Sequence, residues 1–219
     1  MDPELPRGVA RLINPEAGSH VVSLDPDERA AALAATARSW QEFPYYPQRY
    51  GARGWKFSLS DSGWLQTLSD LPEHEAREQA FWLASVLAAR GMPSCLLARH
   101  LELMHEELLA RLPHAAGRYQ RLLLCRDALR DRRRRHLDEA SLQAVAAAFE
   151  AETRDEPGRV ANMGVLLACA VADERAGLVR AVEAVLEWAA DPERFTSTWC
   201  AAVRATMAAT RAAPAGAPA

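Results

Sequence analysis

VANMGVLLACAVA, residues 160–172, is apolar on nearly every side when wound as a helix. At about 100° per residue such a run leaves no continuous polar face, and a helix of that kind is buried on all sides. It is also too short to cross a bilayer, which takes about 20 apolar residues. The stretch therefore predicts a central core helix with amphipathic helices packed around it. That arrangement is an all-α, globin-like or irregular multi-helix bundle rather than a simple four-helix bundle.

Helix punctuation on both sides of this run supports the same class. Asp25-Pro26 places an N-cap before a first-turn proline and opens a helix to about Trp40. Ser60 or Asp61 reads as the cap of a short helix through Leu71, and Pro72 opens another that stops at Gly91. Pro93 starts a helix to about Leu112, followed by one from about His114 to Arg135. Asp138 caps a helix to about Arg154, which ends in the turn Asp155-Glu156-Pro157-Gly158. Residues 159–190 read as one long helix or two broken ones, and Asp191-Pro192 as the start of the last. This gives about eight helices in a single helical domain over residues 25–211. Residues 1–24 read as an N-terminal arm and 212–219, a small-residue tail, as disordered. No strand is predicted; at most, residues 54–59 alternate weakly enough to suggest a short extended piece.

Composition narrows the function classes. Charged residues make up 25% and hydrophobic residues 49% of the 219, enough for a sizeable core. The formal net charge of -3 argues against general nucleic-acid binding, which needs a basic footprint. The basic run Arg130–Arg135 is better read as cations at a helix C-terminus, where the macrodipole favours them. Cys95, Cys125, Cys169 and Cys200 form no CxxC pair and sit in apolar helical patterns, as reduced, buried thiols do. Cys95 stands at a helix start, a place that lowers a thiol pKa if the group is exposed. The first ten residues lack the basic-then-apolar pattern of a secretory signal, so the expected location is cytoplasmic, with no membrane attachment.

Two features carry candidate chemistry. The first is His100-Leu-Glu102-Leu-Met-His105-Glu106-Glu107. Glu102 and His105 have the ExxH spacing of di-iron carboxylate bundles, but a second ExxH is missing. Helical geometry also turns Glu102 away from the apolar stripe Leu97, Leu101, Met104, Leu108, toward solvent. His100 and His105 border that stripe, so either is a candidate axial ligand for haem or another tetrapyrrole. The bland reading is two packed, hydrogen-bonded histidines and no cofactor.

The second feature is the segment Trp40–Trp64, which holds 8 of the chain's 15 Phe, Trp and Tyr residues. Gly51 and Gly54 mark it as mostly loop, and so many aromatics argue against disorder. Two compatible readings stand: a structural lid on the core, or a pocket or partner surface. On the second reading the surface comprises Tyr46, Arg49, Tyr50, Arg53, Trp55, Lys56 and Trp64, because Trp, Tyr and Arg dominate interface hot spots. Phosphate loops, nucleophile elbows and zincin motifs do not occur in the sequence.

Ala89-Arg90-Gly91-Met92-Pro93-Ser94-Cys95 and the amphipathic helix after it resemble a hinge in globin-like helical input domains of bacterial signalling regulators. In these domains, which include the N-terminal domains of stressosome scaffolds, an Arg-Gly-Val-Pro hinge separates two helices. The resemblance covers about twenty residues and implies sensing or protein association, with no catalytic residues. The expectation is therefore a non-enzymatic regulatory, sensor or interaction module that engages a protein partner or small ligand. Surplus apolar helix surface leaves a homodimer open.

Overall fold

Asp25 opens the first helix as its sequence demands. Its carboxylate accepts from the backbone N–H groups of Asp27 and Glu28, and Pro26 occupies the first turn. The computed structural model describes residues 6–215. Among them the helices are α1 (Pro26–Glu42), α2 (Tyr45–Leu65), α3 (Glu73–Ala88), α4 (Ser94–Arg111) and α5 (Ala116–His136). They continue as α6 (Glu139–Glu152), α7 (Met163–Arg175), α8 (Ala181–Ala189) and α9 (Ser197–Ala212). The protein is an all-α, multi-helix fold, and no described helix is long and apolar enough to cross a membrane.

Contacts gather the chain into two compact units, residues 1–79 with 98–127 and residues 80–97 with 128–219. In the first, α1 packs along α2, and a small hairpin lies on α2. The hairpin pairs β1 (Arg7–Val9) with β2 (Val21–Ser23), antiparallel, with Gly8 opposite Val22. It buries Ala10, Ala17 and Val22 against Ile13 and Trp64. Residues 6–24 are thus a folded hairpin and not a loose arm. Three-residue strands are too short to show alternation in a sequence; the remainder of the expected arm, residues 1–5, lies outside the described residues.

The segment expected to be mostly loop is helical. Pro44 and Pro47 fall at the cap and first turn of α2, where a missing N–H costs nothing. Gly51 then takes φ 54 and ψ -155, a non-helical backbone state glycine tolerates, and forms a kink that joins two helical segments of α2. Residues 54–59 are helical, and Ser60 and Asp61 lie inside α2 instead of capping a new helix. A 3-10 turn, Gln66–Asp70, follows.

The second unit is organised around α7, whose residues from Leu166 through Asp173 are all buried. It packs on α6, α8 and α9, as an all-round apolar helix must. Residues 159–190 resolve into two helices, α7 and α8, with Arg180 in the left-handed region (φ 59) at the start of α8. The last helix begins at Ser197, capped by Thr196, not at Asp191-Pro192, which forms a turn. Arg175 gathers the end of this unit: it donates to the carbonyls of His136 (2.6 Å), Thr210 (3.1 Å) and Ala213 (2.7 Å). These carbonyls lie at the C-terminal ends of α5 and α9, where intrahelical donors run out; Thr210 also accepts from the Ala213 N–H (3.3 Å). Ala213 packs on the Leu137–Leu142 cluster, so the expected tail is held at its first residues; residues 216–219 lie outside the described part.

The basic run at the end of α5 works partly inside this unit. Arg133 donates to the Leu137 carbonyl (2.9 Å) and to Glu139, while Arg132 lies over the Phe81 ring at 4.7 Å.

Candidate functional site

The kink at Gly51 brings the two halves of α2 and the end of α1 together. Trp40 stacks on Tyr46, with centroids 5.6 Å apart and planes 11° from parallel. On its other side Trp40 meets Trp55 edge to face at 5.2 Å, and its indole N–H donates to the Ser58 hydroxyl (3.1 Å). Tyr50 packs edge-on against Tyr45. The Arg49 guanidinium covers both phenol rings, 5.5 Å from Tyr45 and 5.2 Å from Tyr50. Burial pushes the Tyr50 phenol far above its ordinary pKa, so it stays neutral. Each offset or edge-on ring pair adds about 0.5–1.5 kcal/mol beyond burial, so the cluster is a stiff base.

Of the seven residues singled out in this segment, Tyr46, Arg49, Tyr50 and Trp55 come together in that cluster. Arg53 and Lys56 are exposed on the outer side of α2 beyond the kink. Arg53 lies over Phe57 at 5.5 Å and pairs with Glu16 at 2.8 Å. That ion pair is exposed on both sides and is worth little. Trp64 is elsewhere: it packs under the hairpin, edge-on to His20 at 6.3 Å.

His100 is buried, and its Nε2 meets the Ser62 hydroxyl at 2.8 Å. Ser62 also contacts Thr36 (2.9 Å) and donates to the Ser58 carbonyl (2.7 Å). Burial lowers the His100 pKa to about 4, so the ring is neutral at pH 7. His105 is also buried, its pKa lowered by burial and then by Arg126, and its Nε2 has no hydrogen-bond partner among the described residues.

Glu102 does not point into solvent. It is half-buried, with Oε2 accepting from Arg99 (2.6 Å) and Oε1 from Arg126 (3.1 Å). Arg99 reaches Glu42 as well, at 2.9 Å, and Arg38 ties α1 to Glu106 (2.7 Å) and Glu107 (2.9 Å). The acidic face of α4 is therefore a ladder of arginine pairs, and a metal would have to displace two guanidinium groups to use Glu102. Among the described residues no group of three or more His, Cys, Asp or Glu is arranged to hold a metal ion.

Sequence reasoning missed two buried acids. Glu28 is fully buried in the first unit, held by Arg118 (2.6 Å) and the Tyr119 hydroxyl (2.8 Å). Its position was detectable: Glu28 shares a face with Ala31, Ala32 and Ala35, the buried side of α1. An acid in a first helical turn invites the solvated reading instead. Asp173, also buried, sits one turn after Cys169 on α7 and accepts from the Ser94 backbone N–H at 2.7 Å and from its hydroxyl. It thus caps α4 from another helix, a role no local spacing announces.

No family model, curated protein or solved structure matches the chain.

Proposed function

We propose that the chain is a non-enzymatic regulatory or protein-interaction module, and that its partner surface is the outer face of α2 beyond the Gly51 kink. The observation that carries this reading is the packing of Trp40, Tyr46 and Trp55 on one another. Rings that hold each other form a rigid platform. Arg53, Lys56 and the half-buried edge of Trp55 are presented from it at little entropic cost on binding. Two exposed cations beside aromatic edges suit a protein segment carrying carboxylates, and Arg53 exchanges Glu16 for such a group at small loss. The hinge Arg90-Gly91-Met92-Pro93 agrees with a sensor-type module: Gly91 has φ 83 where α3 ends, and α4 starts just after Pro93.

The test is to identify partners by in-cell crosslinking, purify the leading one, and titrate it against wild type and Arg53→Glu/Lys56→Glu. Charge reversal should weaken binding at least tenfold and abolish most of its salt dependence, with circular dichroism unchanged. Equal affinity for the double variant would remove this face as the site.

A second reading, tetrapyrrole binding, has one observation in its favour, the unpartnered Nε2 of His105. His100 suits the role less, because its Nε2 already holds Ser62. Supplying haem to the purified protein distinguishes the readings: a stoichiometric Soret band lost in His105→Ala supports the tetrapyrrole, and an unchanged haem spectrum removes it.

A further inference from the structure

In the second unit the first turn of α4 and one face of α7 bring together two thiols, a carboxylate and two guanidinium groups. Cys95 follows Ser94 at the start of α4, and Asp173 fixes that start by accepting both Ser94 donors. Cys169 lies one turn before Asp173 on the same side of α7. Cys169 belongs to the buried cluster of Leu137 and Leu142, and Cys95 packs against the same cluster together with Val165. From α5, the positive charge of Arg133 favours the ionised form of Cys95, and that of Arg132 favours the ionised form of Asp173. Arg132 keeps one buried donor, Nη2, with no protein partner.

We propose that Cys95 and Cys169 form a reversible dithiol–disulfide couple, an oxidation site at which Cys95 reacts first with a peroxide and Cys169 resolves it. The order follows from access: Cys95 is half-buried, whereas Cys169 is 1% exposed. The Cys95 sulfur attacks one peroxide oxygen, the O–O bond breaks, and hydroxide leaves with the thiol proton as water, giving a sulfenic acid. The Cys169 sulfur then attacks the Cys95 sulfur, the S–O bond breaks, and a second water leaves with the Cys169 proton. Two thiols are oxidised by two electrons, one peroxide is reduced to two waters, and a small thiol reductant reverses the change.

The α4 N-terminus and Arg133 favour negative charge on the reacting sulfur. The neighbouring Cys169 thiol, burial and Asp173 act the other way and hold the proton on Cys95. The pair is therefore a resting dithiol at neutral pH whose oxidation quickens as pH rises. Cys125 and Cys200 are buried, free and outside this cluster, so they serve as internal references.

Peptide mapping of the native full-length protein tests this without any variant. Trypsin places Cys95 in residues 91–99, Cys125 in 122–126, Cys169 in 160–175 and Cys200 in 195–204. After hydrogen peroxide at pH 7 and pH 9, followed by alkylation, the linked pair 91–99 with 160–175 should exceed any other cysteine pair at least tenfold. Its yield should rise from pH 7 to pH 9, and dithiothreitol should remove it. Cys95→Ser should leave Cys169 fully alkylated. Retention of all four free thiols after excess peroxide would overturn the proposal. So would linkage of other pairs to the same extent, or sulfinic acid at Cys95 with no linkage, in protein that stays folded by circular dichroism.

Discussion

Helix α2 carries Gly51 and helix α7 carries Gly164, and these two glycines are there for opposite reasons. Gly51 in α2 has open space around the position of an added Cβ but a left-handed backbone, φ 54. Gly164 in α7 has no special backbone state, yet a Cβ there would lie 2.8 Å from the Ala146 carbonyl oxygen and 2.9 Å from its Cα. The first glycine bends a helix so that large rings can meet; the second lets two helix backbones approach. The regions around them differ in the same sense. Around α2, aromatic side chains pack edge to face and leave half-buried rims beside Arg53 and Lys56. Around α7, small and aliphatic side chains interlock, and every residue from Leu166 through Asp173 is buried. A region of the first kind leaves ring edges and cations at the surface, and a region of the second kind supplies stability.

The largest expected effect lies in the second region. Leu167→Ala should cost about 2–5 kcal/mol in urea unfolding, since a fully buried leucine is replaced where tight packing prevents collapse. A loss under about 1 kcal/mol would show that α7 is not the rigid core described. Acid should act mainly on the first region, through His100. Its folded pKa of about 4 lies below the ordinary 6.5, so the unfolded chain binds the proton more tightly. The neutral ring's contribution is complete above pH 6.5 and is lost as pH falls toward 4, by roughly 3 kcal/mol. Asp173, whose pKa burial raises, works the other way, favouring the fold at the acid end. Thermal melts between pH 7 and 4 should therefore show an acid-side loss in wild type that shrinks clearly in His100→Gln.

The two glycines sharpen the comparison at smaller cost. Gly164→Ala should destabilise by about 1–3 kcal/mol through overpacking against the α6 backbone. Gly51→Ala should cost roughly 1–2 kcal/mol from backbone strain alone. Only Gly51→Ala should disturb the Trp40–Trp55 contact, read as a change in near-ultraviolet circular dichroism or tryptophan emission. If Gly164→Ala changes those signals equally, the two regions are not separable in the way drawn here.

Aromatic clustering was legible in part. The run Trp40–Trp64 announced the α2 cluster, although its glycines and prolines disguised the helix that carries it. A second chain of rings escaped notice because its members come from different elements. Phe149 meets Trp199 at 5.1 Å, Trp199 stacks on Phe195 at 5.3 Å, and Phe195 meets Trp188 at 5.1 Å. The candidate site was readable as residue types, but not as exposure. The spacing that set Tyr46 and Trp55 beside Arg53 could not say which would be buried and which presented.

By itself the sequence determined what depends on local chemistry and period. It specified helices throughout most of the chain, the Asp25 and Asp138 caps, the Gly91 stop, and a buried core helix within residues 160–172, although that helix starts only at Met163, after Asn162 at φ 64. Tertiary structure decided whatever depends on a partner distant in the chain. It folded residues 6–24 onto Trp64, closed both oxygens of Glu102 with arginines, and hid Glu28 beneath Arg118 and Tyr119. It also set Cys95 against Cys169. Hydrophobic period and capping act over a few residues, whereas a buried charge or thiol takes its role from groups that only the folded chain brings within reach.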